Sequence, residues 1–155
     1  MHVFNSNSMI HKIYLAGPFF TSDQLATAET VEAACKAAGV DAFSPRLRCC
    51  CPPNAGMAQR KASFDMNTEA IKQCDLVLAC IDDFDAGTMW EMGFAFALKK
   101  PVYAYTLVPG RGLNLMLAQS CAGFINSVPQ MTKFLSKGGM VDFTEATKTH
   151  GGEII

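Results

Sequence analysis

Leu76-Val77-Leu78-Ala79-Cys80-Ile81-Asp82-Asp83-Phe84-Asp85-Ala86-Gly87-Thr88-Met89-Trp90-Glu91-Met92-Gly93-Phe94-Ala95 runs from an apolar segment through three acids into a helical one. Leu76 to Ile81 is apolar without alternation, as a central parallel strand covered on both faces should be. Thr88 to Leu98 reads as a helix, and Lys99-Lys100 suits its C-terminal dipole. A strand therefore delivers Asp82, Asp83 and Asp85 to its C-terminal end, and Glu91 opens the next helix. In open α/β sheets ligands bind in the crevice outside the carboxyl ends of the strands. Chemistry is expected at this edge.

The flanking sequence repeats the same alternation. Upstream, Lys12-Ile13-Tyr14-Leu15-Ala16-Gly17 is a short buried strand and Pro18-Phe19-Phe20 a loop. Thr21, Ser22 and Asp23 offer capping oxygens to an Ala-rich helix from about Gln24 to Ala38, closed by Gly39. Val40 to Ser44 is a second strand, stopped by Pro45. Arg46 to Ser63, with Pro52-Pro53-Asn54-Ala55-Gly56, reads as a long loop and a candidate flap over the strand ends. Phe64 to Gln73 has helical spacing. Downstream, residues 101–105 form a strand, Pro109-Gly110-Arg111-Gly112 a turn, Asn114 to Ser120 a helix, Gly123 to Ile125 a strand and Val128 to Leu135 a helix. Strands alternating with helices predict a parallel sheet covered on both faces.

Composition bounds the function. The chain has 155 residues, expected as a single domain, with residues 1–8 a leader outside the fold and residues 137–155 a tail. Half the residues are apolar, 17% are charged and the net charge is −1. That excludes a disordered chain and gives no basic stripe for nucleic acid. No apolar run approaches ~18 residues and no signal core is visible, so no membrane partner is expected and the cytoplasm is the expected compartment. Seven cysteines fit neither a zinc site nor a secreted disulfide framework. Cys49-Cys50-Cys51 reads as loop residues without metal, with a metal or redox role as the rival.

Two readings of the acidic edge compete. Thr88-x-x-Glu91 has the form of a capping box. A carboxylate in a first helical turn is also favoured in its ionised form and can act as a nucleophile. Clustered carboxylates shift one another's pKa and separate acid from base roles, the apparatus used to cleave glycosidic bonds. Mg²⁺ binding is the alternative, but no phosphate-cradling Gly-rich loop follows the first strand. No dinucleotide fingerprint is present either. Phe19 and Phe20 are either core or an aromatic wall for a flat ring, and Gly17 would let ligand or backbone approach.

Taken together, residues 13–20, Asp85-Ala86-Gly87-Thr88-Met89-Trp90-Glu91-Met92-Gly93-Phe94-Ala95 and Asn114-Leu115-Met116 resemble the nucleoside 2-deoxyribosyltransferase family over about residues 12–125. The resemblance implies a flavodoxin-like (Rossmann-like) three-layer sandwich with a five-stranded parallel sheet. It also implies cofactor-free exchange of bases on 2′-deoxynucleosides, with free nucleobases as the second substrate. Glu91 matches the nucleophile that attacks C1′, and Tyr14 the tyrosine that orients it. Asp85 matches an aspartate lining the pocket, beside Gly87, and Phe20 and Phe19 match the wall against the base. Asn114 and Met116 match residues reaching a neighbouring subunit's site, which implies a homo-oligomer. Many members carry an aspartate at the position of Asn67, where it helps to protonate the departing base. An amide hydrogen-bonds a base edge but does not deliver a proton in the ordinary way. Asn67 is therefore expected to recognise the base; either Asp65, Asp82, Asp83 or Asp85 supplies the acid, or base protonation is weaker and base preference altered. A nucleotide N-glycosidase with a 5′-phosphate pocket, drawing charge from Arg46, Arg48 or Arg60, is one alternative; a non-catalytic nucleotide-binding module is the other.

Overall fold

Each apolar run becomes a strand of one sheet. A computed structural model describes residues 12–138. The expected leader, and the expected tail beyond residue 138, lie outside the described residues. The strands are β1 (Lys12–Ala16), β2 (Asp41–Phe43), β3 (Leu76–Cys80), β4 (Val102–Tyr105) and β5 (Gly123–Ile125). All are parallel, in the order β2-β1-β3-β4-β5. Tyr14 stands opposite Phe43 on one side and Val77 on the other.

Among the described residues, six α-helices flank the sheet: α1 (Ser22–Ala37), α2 (Pro45–Arg48), α3 (Met57–Gln73), α4 (Ala86–Ala97), α5 (Leu115–Ser120) and α6 (Val128–Ser136). Side chains alternate across a strand, so each strand supplies both layers of core. Ile13, Leu15, Leu76, Leu78 and Ile125 pack with Val31 and Cys35 of α1 and Met131, Phe134 and Leu135 of α6. Tyr14, Ala16, Val77, Ala79, Ala104 and Phe124 pack on the opposite face with Ile71 of α3, Met92 and Ala95 of α4 and Leu117 of α5. The result is the expected three-layer flavodoxin-like sandwich. The direction in which successive strands are added to the sheet reverses between β1 and β3, the topological switch point where α/β sheets open a crevice.

The predicted loop over residues 46–63 is mostly helix. Pro45 starts α2, because a missing N–H and a fixed φ suit the first helical position, and α3 already begins at Met57. Only residues 49–56 between them are irregular, so a long flap is absent. Arg60 ties the segment down, donating to Ala55 O at 2.8 Å and Pro53 O at 2.9 Å. Among the described residues no helix is long and apolar enough to cross a membrane.

Candidate active site

The acidic edge is built by a tight turn after β3. Asp83 and Phe84 adopt φ of 62° and 46°, in the left-handed region, and the chain then enters α4 through Asp85. Asp85 Oδ2 accepts hydrogen bonds from the Thr88 backbone N–H and the Thr88 hydroxyl, both at 2.9 Å. Asp85 is therefore the N-cap. This corrects the capping box expected between Thr88 and Glu91: Thr88 is buried within the first turn and Glu91 lies beyond it. The helix dipole, which acts within the first turn, is not what governs the Glu91 carboxylate.

Burial governs it. Glu91 faces the sheet, where the Tyr14 hydroxyl donates to Oε1 at 2.5 Å. Tyr14 is fully buried, and its ring stacks on Phe43 at 5.6 Å and 11°. Desolvation pushes the Glu91 carboxyl up to about 7; the Tyr14 hydrogen bond opposes the rise, and the charge of Asp85 adds to it. Tyr14 is itself driven well above the ordinary phenol range, first by burial and then by the Glu91 charge. It stays protonated and keeps donating.

A pocket of about 290 Å³ opens over Glu91, lined by Phe64, Asn67, Thr68, Gly87 and Trp90. Its walls come from α3 and α4, with Asn67 one turn beyond Phe64. A Cβ on Gly87 would sit 3.2 Å from Asp85 Oδ2, so glycine keeps the cap and the pocket floor compatible. Phe64 meets Trp90 at 5.4 Å between ring centroids, and Trp90 stacks on Phe94 at 5.0 Å and 20°. Phe64 and Trp90 are additional site residues: Phe64 read as part of a helical spacing and Trp90 as one residue of the helix from Thr88.

Other candidates are placed elsewhere. Phe19 and Gly17 line a separate small cleft with Gln24 and Val31 of α1, on the other side of the sheet from Glu91. Phe20 pairs with Phe19 at 5.0 Å and is exposed to solvent. Gly17 answers to close strand approach, since a Cβ there would lie 3.0 Å from Cys80 Cβ. Asn114 caps α5, its Oδ1 accepting from the Leu117 N–H at 2.9 Å, and Met116 projects from that helix 75% exposed. Neither lines the Glu91 pocket.

The remaining acids have partners of their own. Asp82 is buried and accepts from the Thr106 hydroxyl at 2.5 Å. Asp83 accepts from Gln24 Nε2 at 2.9 Å and from Arg111 at 3.4 Å. Asp65 pairs with Lys61 on α3, two residues from Asn67 and hence on a different helical face. Of the four candidate acids, Asp85 is the one whose charge acts on Glu91. Of the basic residues of the former loop, Arg46 pairs with Glu32 and Glu29, and exposed Arg48 lines a groove beside α1 and β2.

One site neighbour comes from the cysteine triplet that read as loop residues. Cys49, at the end of α2, places Sγ 2.7 Å from Asn67 Oδ1. Burial and the Glu91 charge raise its thiol to about 11, so it is protonated near neutrality. Among the described residues, no three His, Cys, Asp or Glu side chains gather to hold a metal.

Residues 13–122 match the family profile described as nucleoside 2-deoxyribosyltransferase. The structure is similar to that of a 2-deoxyribosyltransferase from Bacillus psychrosaccharolyticus, at 30% identity and a TM-score of 0.71, over 85% of this chain and 93% of that one. Two more distant structures share the fold. One is a conserved protein of Enterococcus faecalis, at 20% identity and a TM-score of 0.62, covering 83% of this chain and 97% of the other. The second is a CMP N-glycosidase of Clostridium botulinum, at 17% identity and a TM-score of 0.54, covering 81% and 96%. No curated protein sequence matches the chain. By the profile match over most of its length, and by the 30% identity to a solved 2-deoxyribosyltransferase, this chain belongs to the nucleoside 2-deoxyribosyltransferase family.

Proposed function

We propose that the protein transfers the 2-deoxyribosyl group of a 2′-deoxynucleoside from one nucleobase to another by double displacement through Glu91. The observation that carries this reading is the Tyr14–Glu91 hydrogen bond at the base of an open pocket. A partly desolvated carboxylate is a stronger nucleophile than a solvated one, and a phenol that never ionises holds one of its oxygens in place. In the first step the other oxygen attacks C1′ from the face opposite the base. The C1′–O bond forms as the C1′–N bond breaks, and the electron pair leaves with the base. The incoming base then attacks C1′ through a ring nitrogen, loses its proton and displaces Glu91. Two inversions give net retention.

Phe64 and Trp90 are suited to hold a flat base, because aromatic faces stack with rings 4.5–7 Å apart, roughly. A nucleotide substrate would need a cation near the sugar's 5′ end. Of the arginines that could have supplied it, Arg46 is paired with acids and Arg60 with backbone carbonyls, and Arg48 is exposed and lines a groove beside α1 and β2 rather than the Glu91 pocket. A nucleoside is therefore the better fit than its 5′-monophosphate. The Asn114–Met116 corner, outside this pocket's lining and with Met116 exposed, is suited to reach a second subunit, and we assign the working form as a homo-oligomer.

The test is to incubate the protein with one purine and one pyrimidine deoxynucleoside and a free acceptor base. Exchange, faster than release of free deoxyribose, supports transfer. Hydrolysis without exchange, or turnover of the 5′-monophosphate in preference, would replace it with an N-glycosidase. Ligand-induced stabilisation with no turnover over hours would leave a binding module.

A further inference from the structure

Asn67 is an amide lining the pocket over Glu91, and an amide has two chemically opposite ends. Oδ1 accepts hydrogen bonds and Nδ2 donates two. Which end meets the ligand decides which base edges the pocket can read. In this structure the choice is made by a residue outside the pocket lining. Cys49 Sγ lies 2.7 Å from Asn67 Oδ1, while among the described residues nothing takes the Nδ2 hydrogens.

We propose that Cys49 is a positioning residue: its thiol proton engages Asn67 Oδ1, turning Nδ2 toward the pocket, so that the site selects bases by a hydrogen-bond acceptor and releases them as anions. This rests on the deoxyribosyl-transfer reading of the same site. The placement is held by the backbone, since the Cys49 N–H donates to Pro45 O at 2.9 Å at the end of α2. The thiol has a proton to give because burial and the Glu91 charge keep it from ionising. Asn67 itself projects from the middle of α3, beyond Phe64 in the same wall.

The chemistry follows from the donor. When the C1′–N bond breaks, its electron pair stays on the base. An N–H from Asn67 stabilises that negative charge by a charge-assisted hydrogen bond, but the amide does not surrender its proton. The anion takes a proton from water. Bases that are acidic in the free state are therefore good leaving groups here, and weakly acidic ones are poor. Rates across a series of deoxynucleosides should depend steeply on the acidity of the free base. An aspartic acid in place of Asn67 would flatten that dependence by delivering a proton.

Two measurements test the proposal, one of which needs no turnover. The first is the exchange rate of the wild type, Cys49→Ala, Cys49→Ser and Asn67→Asp over a series of deoxynucleosides of graded base acidity. We expect Cys49→Ala to lose about tenfold in kcat/KM, the size of one hydrogen bond to a positioned group. Cys49→Ser, which keeps a donor, should rescue most of it, and Asn67→Asp should flatten the acidity dependence. The second is calorimetric binding of hypoxanthine and its 3-deaza and 7-deaza analogues, each lacking one ring acceptor. One deaza analogue should bind more weakly than hypoxanthine to the wild type and to Cys49→Ser, and the difference should shrink in Cys49→Ala. Equal losses in Cys49→Ala and Cys49→Ser, or a deaza penalty that Cys49→Ala leaves intact, would overturn the positioning role. So would loss in Cys49→Ala that persists in full when Asn67 is already Ala, because coupled residues should not add. A wild type that binds these bases with the expected pattern and yet exchanges none would count against the transferase reading alone.

Discussion

Tyr14 of β1 and Glu91 of α4 share one hydrogen bond of 2.5 Å, between side chains that the fold buries from opposite directions. The tyrosine is anchored by Phe43 and the sheet; the glutamate projects from a helix capped by Asp85. Neither partner is in its ordinary electrostatic state. The phenol is locked in its protonated form, and the carboxyl is pushed up to about 7. Consequences follow for stability, for pH dependence and for the cap.

Glu91 should cost stability at alkaline pH. Its folded-state value of about 7 lies above the ordinary 4.5, so its contribution is present below pH 4.5 and is lost as pH rises through 7. Glu91→Gln removes the charge and keeps an acceptor for Tyr14. It should be more stable than the wild type at pH 8 by roughly 1–3 kcal/mol, with the difference vanishing near pH 4. Denaturant melts at the two pH values check this. A variant less stable than the wild type at pH 8 would contradict it.

The same shift should appear in the rate. A nucleophilic carboxylate must be ionised, so kcat/KM should climb about tenfold per pH unit below a pH near 7 and level off above it. Tyr14→Phe removes the bond that holds the Glu91 pKa down while preserving the ring against Phe43. Its ascending limb should move to higher pH. Its rate at neutrality should fall by about ten- to a hundredfold, as expected for a hydrogen bond to a charged group. An unmoved limb would show that the bond does not tune Glu91.

Asp85 carries two roles that substitution separates. Asp85→Asn retains a capping oxygen for Thr88 but removes the charge that raises Glu91, so stability should hold and the ascending limb should move to lower pH. Asp85→Ala loses the cap as well, at a cost of about 1 kcal/mol. Thermal unfolding and the pH profile of both variants check the division. An upward shift of the limb in Asp85→Asn would contradict the assignment.

Much of this architecture can be read from the residues. β3 and β1 are legible because a central parallel strand is apolar on both faces, and Gly123 to Ile125 is found with the boundaries its residues suggest. The first half of α3 is not legible. Met57, Arg60 and Lys61 lie exposed on the surface, so the segment lacks an apolar stripe, and the prolines before it favour a loop reading. The capping box misled for a related reason: Thr88 and Glu91 have the right spacing, but Asp85, three residues earlier, takes the Thr88 amide. Tyr14 and Glu91 meet as the family resemblance implies. Cys49, by contrast, reaches Asn67 from the end of α2 across to the middle of α3, and no local pattern announces such a contact. Phe19 and Phe20 follow a strand end as a base-stacking pair would, but Phe19 lines the cleft beside α1 and Phe20 is exposed to solvent.

The most direct test of the central claim is covalent. The protein is incubated with a 2′-deoxynucleoside in the absence of acceptor base, quenched in acid, digested and examined by mass spectrometry. A deoxyribosyl ester on the peptide carrying Glu91, absent in Glu91→Gln and discharged by added base, is the predicted result. Base exchange at the wild-type rate in a folded Glu91→Gln or Glu91→Ala variant would contradict it.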